Sequence, residues 1–313
     1  MREGPGTAVD AGPGPSALRT WGPLITLWII WGTTFLGTSA MVQTMPPLLA
    51  AGARYFLGGV LLALILVILR GPAVLKVSRQ QLGGSAFAGI GIIGIWGAIV
   101  AVALQHIPGG VAALIGATVP LWIVLLRVTA GQRVGWRTWL GVAVGMVGVG
   151  AMLLPGGTAP FAGENTGQVV FWSAAVVVAS MTYAYFSWRS RGLDLPANTL
   201  TSTVYQLVWA GLAIAVAGAV SGERVESGSY SATSWAGFAW LVLASLVGYG
   251  AYTFLIQNVP LSLVSTFAFV NPVVAVVLGW LFLGEPFSRS VIIGLIVVVG
   301  GTTLVVLGED RRT

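Results

Sequence analysis

The chain has 313 residues, of which 56% are hydrophobic and only 8% are charged, and its mean hydropathy is +0.91. This composition excludes a soluble globular core of this size and predicts an integral membrane protein. The net charge of +6 does not indicate a nucleic acid partner, because the basic residues lie between apolar segments and form no basic, aromatic surface module.

Residues 1–20 are rich in Gly and Pro, carry both charge signs, and lack the apolar region of a signal peptide. We expect a disordered cytoplasmic tail there.

Two stretches, residues 80–126 and 227–284, contain no Asp, Glu, Lys or Arg, and each is long enough for two membrane crossings. Pro108 and Pro260 mark the break within each stretch, because proline cannot continue a helix. The same interpretation of the whole chain predicts an all-α integral membrane protein with ten transmembrane helices. Their expected ranges are 21–42, 46–69, 82–103, 108–128, 137–155, 168–188, 197–220, 235–256, 260–283 and 289–307.

The basic residues are distributed unevenly between the two ends of these helices. Twelve fall on one side, and only Arg224 and Arg289 fall on the other. The positive-inside rule therefore predicts that both termini are cytoplasmic.

The two halves of the chain resemble each other. Residues 103–120 align with residues 255–272 at an offset of 152, which superposes Pro120 on Pro272. Because each half has five helices, the second copy must cross the membrane in the opposite sense. We predict two inverted-topology five-helix repeats, 21–155 and 168–307, joined by an external linker, 156–167, and followed by a cytoplasmic tail, 308–313. Many secondary transporters have this architecture, with the substrate site where the halves meet.

A polar stripe occurs at equivalent positions in both halves. Trp31 and Thr34 lie on one face of the first helix, and an offset of 149 carries them to Ser180 and Tyr183 on the sixth. Facing lipid would be unfavourable for these side chains. We favour cavity lining, with interhelical hydrogen bonding as the alternative.

Further aromatic and hydroxyl side chains follow in the second half. Tyr249 and Tyr252 share a face of the eighth helix, and Ser262 and Ser265 share a face of the ninth. Their counterparts in the first half are apolar, with Trp96 nearby. One apolar wall and one hydroxyl-rich aromatic wall would suit a neutral or amphipathic solute.

Pro120 and Pro272 each lie about twelve residues into an apolar helix, where each removes a backbone hydrogen bond. Thr118 and Asn271 stand beside them. Breaks in corresponding helices of two repeats indicate either a substrate site or a simple kink, and both interpretations stay open. We take Thr118 and Asn271 as candidate substrate-binding residues, and the prolines as structural or gating residues.

Arg54 is the only ion well inside a predicted helix, where insertion costs about 2.5–3.5 kcal/mol. No Asp or Glu inside a predicted helix can pair with it. It could attract a substrate carboxylate, or it could bond helix-end carbonyls and fix the second helix.

Several tracts together resemble the EamA domain of the drug/metabolite transporter superfamily, and within it the YedA-like bacterial inner-membrane carriers. The tracts are WGTTFLGTSA (31–40), PPLLAAGARYFLGG (46–59), GGVAALIGATVPLW (109–122), FVNPVVAVVLGWLFLGEP (269–286) and IIGLIVVVGG (292–301). The resemblance implies ten helices, alternating access, and usually efflux of amino acids, metabolites or drugs. It favours the structural role for Arg54, since the family carries an Arg in this tract while its substrates vary.

The Gly-Glu of the family pattern is present as Gly284-Glu285, whereas the first copy has Gly131-Gln132. A paired role of these two loops therefore lacks one of its acids.

The sequence thus predicts a secondary transporter of the bacterial inner membrane that moves small organic solutes, without cofactor or metal. Its expected partners are a small-molecule substrate and the lipid bilayer, with a homodimer left open. The alternatives are an intramembrane enzyme and a non-transporting membrane receptor or assembly factor. The absence of Cys and a single histidine, His106, near the surface weigh against an enzyme, and the inverted repeat weighs against a receptor.

Overall fold

The computed structural model describes residues 17–153, 165–226, 228–258, 264, 266–285 and 289–309, and the regular elements in these ranges are helical. The α-helices are α1 Ala17–Gly32, α2 Thr34–Met41, α3 Pro47–Arg70, α4 Arg79–Ala88, α5 Ile95–Ala103, α6 Gly109–Gly116, α7 Val119–Thr129, α8 Trp136–Leu153, α9 Thr166–Ser190, α10 Thr199–Val220, α11 Ala232–Asn258, α12 Phe267–Leu283 and α13 Arg289–Glu309. Lipid offers no partners for backbone N–H and C=O groups, so apolar segments satisfy these groups internally as helices.

Seven helical segments in the described part of the chain are long and apolar enough to cross a membrane. They are Thr20–Met41, Pro47–Arg70, Arg79–Ala103, Gly109–Thr129, Thr166–Ser190, Thr199–Val220 and Ala232–Asn258. Shorter apolar helical stretches occupy Val270–Leu283 and Val291–Gly301. The described part of the chain is therefore that of an all-helical membrane protein, and these seven segments coincide with seven of the ten predicted crossings.

Some helix ends differ from the prediction. Helix α1 begins at Ala17, inside the predicted tail, and α9 begins at Thr166, inside the predicted linker. The side chain of Asn165 explains the second difference, because it accepts a hydrogen bond of 2.8 Å from the backbone N–H of Gln168 and so caps α9. The predicted break at Pro260 lies outside the described residues, as do residues 1–16, 154–164 and 310–313.

Three of the crossing segments contain irregular turns. A break at Thr33 separates α1 from α2, and a π-helical turn, Gly89–Gly94, joins α4 to α5. A third break, at Ala117 and Thr118, separates α6 from α7. Such irregular turns release or lengthen backbone hydrogen bonds and are frequent at functional sites.

Close backbone approach holds two pairs of helices together. A Cβ on Gly52 of α3 would lie 2.6 Å from the backbone nitrogen of Ala215 in α10. A Cβ on Gly301 of α13 would lie 2.5 Å from the backbone nitrogen of Gly145 in α8. The small residues at these positions therefore serve helix packing.

The packing order of the helices links the two halves of the chain. Helix α3 packs against α10, α8 against α13, and α6 against α12. Helices α1 and α2 pack against α11, and α5 packs against α9. Each of these contacts joins one helix from before residue 154 to one from after residue 165.

We call the end of the bundle where α2 ends and α3 begins the distal end. There the Glu223 carboxylate, which follows α10, accepts hydrogen bonds of 3.1 Å and 2.8 Å from the backbone N–H groups of Leu48 and Leu49. These are the first free donors of α3, so an acid from the second half caps a helix of the first.

Candidate substrate cavity

Trp31 is the centre of a group of rings contributed by α1, α11 and α12. Its ring centroid lies 5.4 Å from that of Tyr252 in a stacked arrangement, and 5.7 Å from Tyr249 and 4.9 Å from Phe267 in edge-on arrangements. Such pairs add about 0.5–1.5 kcal/mol each beyond burial. The three helices therefore meet on one indole.

Gly248 makes room for that indole. A Cβ at Gly248 would clash with the Trp31 ring at Nε1 and would lie 2.8 Å from Cδ1. The flat ring therefore packs directly on the backbone of α11, one residue before Tyr249.

A second pair of rings comes from α5 and α9. The centroids of Trp96 and Tyr183 lie 6.2 Å apart, edge to face. Trp96 also packs on a glycine, because a Cβ on Gly116 would lie 2.9 Å from its ring. The apolar wall predicted near Trp96 is thus itself aromatic.

Tyr249 connects the two groups. It lies close enough to Tyr55, Tyr183, Tyr252 and Arg54 to interact with each electrostatically. The Tyr55 ring rests on Gly97, where a Cβ would lie 2.7 Å from it. We call Trp31, Tyr55, Trp96, Tyr183, Tyr249 and Tyr252 the aromatic cluster.

The cluster borders internal space. Tyr183 and Tyr249 lie deep within the bundle, yet both keep intermediate solvent-accessible surface. That surface indicates space between the helices beside these two rings. Within the described part of the chain, none of the four tyrosine hydroxyls in the cluster makes a hydrogen bond, so all four are available to a solute.

Arg54 lies beside this cluster and is 7% exposed. Its Cζ lies 3.8 Å from the centroid of the Tyr55 ring, a cation–π contact, and its buried Nε has no hydrogen-bond partner. Among the described residues no carbonyl accepts from Arg54, so the geometry supplies no support for its predicted role of fixing α3. That role stays a prediction.

The threonine hydroxyls in the predicted site form hydrogen bonds with residues close to them in sequence. The Thr34 hydroxyl donates to the carbonyl of Trp31 at 2.6 Å, and the Thr118 hydroxyl donates to Ile115 at 2.6 Å and accepts from the indole of Trp122 at 3.1 Å. Ser180 also donates to the Ile115 carbonyl, at 3.3 Å. These hydroxyls satisfy the backbone at helix breaks, so the alternative of structural hydrogen bonding describes them better than solute contact does.

Asn271 also has protein partners. In the amide orientation that satisfies its surroundings, its nitrogen donates to the carbonyls of Phe267 at 3.1 Å and Trp28 at 3.3 Å. It therefore links α12 to α1, at the helix ends nearest Trp31.

The two prolines differ in position. Pro272 lies inside α12, as predicted. Pro120 does not interrupt a continuous helix, because the chain breaks before it at Thr118 and Pro120 falls in the first turn of α7. Proline is well tolerated there, since the first amides of a helix have no intrahelical partner. Ser262 and Ser265 lie outside the described residues.

The distal end has a cavity of about 280 Å³ lined by residues that the sequence analysis did not select, namely Ser39, Val42, Gln43, Leu104, Gln105, Leu283 and Glu285. None of them belongs to the aromatic cluster. We call this space the distal mouth, because it lies at this end of the bundle.

The sequence patterns do not identify two aromatic residues at the site, namely Tyr55 of the aromatic cluster and Phe267, which packs on Trp31. Tyr55 was not selected because its neighbours in α3 are apolar, and Phe267 was not because it begins its helix without a polar partner. Gly97 is the available signal, since a missing side chain in an apolar helix can seat a ring from another helix.

Comparison with known proteins identifies the family. Residues 23–154 and 168–307 each match the model of the EamA-like transporter family. The Escherichia coli K12 protein described as uncharacterized inner membrane transporter YedA is 32% identical over 294 residues, covering 93% of this chain and 92% of its own length. Protein PecM of Dickeya dadantii is 28% identical over 88% of each chain. One crystal structure, 20% identical, shares the fold with a TM-score of 0.61 over 94% of this chain and 98% of its own.

Proposed function

Because the chain belongs to the EamA-like transporter family, we propose that it is a secondary transporter that exports small organic solutes across the bacterial inner membrane by alternating access. Its family and relatives are transporters and not enzymes. The convergence of rings from both halves on Tyr249 is the observation that carries the proposal for this chain.

Alternating access requires two halves that rock about a shared site, and we propose that ten helices form two inverted repeats. The family model matches twice, at 23–154 and 168–307. Helix α3 packs on α10 and α8 packs on α13, which are the second and fifth crossings of each proposed repeat. Equivalent helices of repeats related by a two-fold axis are expected to meet in this way.

The solute site in this proposal is the aromatic cluster. Trp31, Tyr55 and Trp96 belong to the first repeat, and Tyr183, Tyr249 and Tyr252 belong to the second. A solute held between them contacts both halves, so its release can be coupled to their relative movement.

A counterflow experiment tests the proposal. Purified protein is first screened for solutes that raise its melting temperature, since a ligand of the folded state stabilises it by mass action. A radiolabelled hit is then followed in proteoliposomes with and without excess unlabelled solute on the opposite side. We expect opposite-side solute to accelerate the exchange, because a carrier returns faster when loaded.

Protein-free liposomes are the control for leakage. A flux that opposite-side solute leaves unchanged would indicate a channel and contradict alternating access. Right-side-out and inside-out vesicles carrying a gradient then decide the direction, and net movement confined to entry would contradict export.

A further inference from the structure

Arg54 is a buried cation with no counter-charge among the described residues. It lies seven residues after the first residue of α3, about 10 Å along the helix axis, and is 7% exposed. Its Nε is buried without a hydrogen-bond partner. A cation in this position is stable only with an anion, a chain of carbonyls or water around it.

The protein supplies only part of that surrounding. The face of Tyr55, 3.8 Å from Cζ, attracts the charge but accepts none of the guanidinium N–H bonds in its plane. Tyr249, on α11, lies within electrostatic range on the side of the aromatic cluster. The guanidinium therefore adjoins the cavity that the cluster borders.

No described acidic residue is placed to pair with it inside a membrane crossing. The described acidic residues are Asp194 between α9 and α10, Glu223 and Glu226 between α10 and α11, Glu285 between α12 and α13, and Glu309 at the last position of α13. An anion that pairs with Arg54 therefore has to come from outside the described residues.

Other polar groups of the aromatic cluster can also donate hydrogen bonds to an acceptor. The indole of Trp96 can only donate, and it makes no hydrogen bond to any described residue. Arg54 and this indole are donors only, and the unbonded tyrosine hydroxyls of the cluster beside them can donate as well as accept. A carboxylate has acceptors only, and its two oxygens fit the fork of a guanidinium.

We propose that Arg54 binds the carboxylate of an organic acid whose apolar or aromatic body lies against Trp31, Tyr55 and Tyr249. This names the substrate class of the transporter function proposed above, and rests on it. The site selects acids over neutral amides of the same shape, and it repels organic cations.

Matched acid and amide pairs test the proposal on the wild-type protein. Benzoate with benzamide and phenylacetate with phenylacetamide are titrated against purified protein in nanodiscs, and binding is followed as the rise in melting temperature. We expect half-maximal stabilisation by the acid at a concentration about tenfold lower than by its amide, in line with a hydrogen-bonded charge. Equal stabilisation by acid and amide, or none by either acid, would overturn the proposal.

Variants assign the effect to Arg54. Arg54→Gln should remove the preference for the acid, and Arg54→Lys should keep part of it as a charge without the fork. Arg70→Gln is the matched control, because Arg70 is exposed at the end of the same helix. If Arg54→Gln does not fold, Tyr249→Phe and the wild-type pairs still decide, since discrimination by the wild type needs no variant.

The failures of the two proposals differ. Wild-type protein that binds the acids selectively but does not accelerate their movement in proteoliposomes supports the anion site and contradicts the carrier. Protein that carries acid and amide equally well supports the carrier and overturns the anion site.

Discussion

The Glu285 carboxylate accepts a hydrogen bond of 2.7 Å from the backbone N–H of Gly109 and another of 3.2 Å from Gly110. Glu285 follows α12, and Gly109 is the first residue of α6, so this contact joins the second half of the chain to the first at the distal mouth. Carboxylates are favoured at helix N-termini, where the amides are free and the dipole is positive. Under the alternating access that we propose, separation of the two halves at this seam breaks the contact.

The pH dependence of stability provides one test of that contact. Burial raises the pKa of Glu285 above its ordinary value of 4.5, and the hydrogen bonds from Gly109 and Gly110 lower it only in part. The folded state therefore holds the proton more tightly than the unfolded state. The stability contributed by Glu285 is full below 4.5 and declines as pH rises through the raised pKa.

We expect the melting temperature of the wild type, relative to Glu285→Gln, to fall as pH rises from about 4 to about 8. Thermal denaturation in detergent across this range measures it. A relative melting temperature that rises with pH would mean that the helix terminus outweighs burial, and the direction given above would be wrong.

Glu223 offers a second, more exposed acid for comparison. Its carboxylate accepts from Leu48 and Leu49 at the start of α3. Removing a cap of this type costs about 0.5–2 kcal/mol, so Glu223→Ala should lower the free energy of unfolding by that amount. Glu226→Ala is the control, because Glu226 is exposed and only its backbone forms hydrogen bonds. Equal losses in the two variants would show that the cap contributes nothing specific.

The packing of the Trp31 ring on α11 predicts different effects for substitutions of two glycines in that helix. Gly248→Ala would push a methyl group into the Trp31 ring, whereas Gly250 has nothing within 4 Å of its Cβ position. We expect Gly248→Ala to weaken solute binding and shift tryptophan fluorescence, and Gly250→Ala to leave both unchanged. Unaltered binding in folded Gly248→Ala would separate Trp31 from the solute site.

A hydroxyl deletion tests the opposite wall. Tyr183→Phe removes one unbonded hydroxyl and little volume, so folding should survive and solute affinity should fall by about 0.5–1.5 kcal/mol. Tyr185→Phe, on the lipid-exposed face of the same helix, is the matched control. The solute affinities of both variants are measured from the solute-dependent rise in melting temperature. Equal affinities for Tyr183→Phe and wild type would place the solute elsewhere.

Reporter fusions test the orientation. Because basic residues concentrate on one side of the helices, fusions after Arg79, Arg137 and Arg191 should report a cytoplasmic location, and a fusion after Arg224 an external one. A cytoplasmic signal at Arg224 together with an external one at Arg191 would reverse the topology and place the distal mouth inside the cell.

The sequence predicts helix positions well here because lipid penalises every charge and every free amide, so apolar runs translate directly into helices. Spacing also predicted that Tyr249 and Tyr252 share a face, and both meet Trp31. Sequence could not show whether a hydroxyl points into a cavity or bonds its own helix, and Thr34 and Thr118 do the latter. That choice depends on where the backbone breaks, which is decided by packing between helices.

Contacts between residues that are distant in sequence are harder still to predict. Tyr55 enters the cluster only because Gly97, on another helix, leaves space for its ring. Arg54 was recognisable from charge alone, but the absence of a described carbonyl partner required coordinates.

The π-helical turn Gly89–Gly94 determines the directions in which the side chains after it point around the axis of the third crossing. A turn of this type holds one residue more than the α-helical turn it replaces, and each residue advances a helix by about 100°. Trp96 is the second residue after it, so without that extra residue the indole would point about a quarter-turn away from Tyr183. Deleting a single glycine from the turn would therefore turn the indole out of the cavity. The shortened segment would still have the composition and length of an ordinary membrane helix.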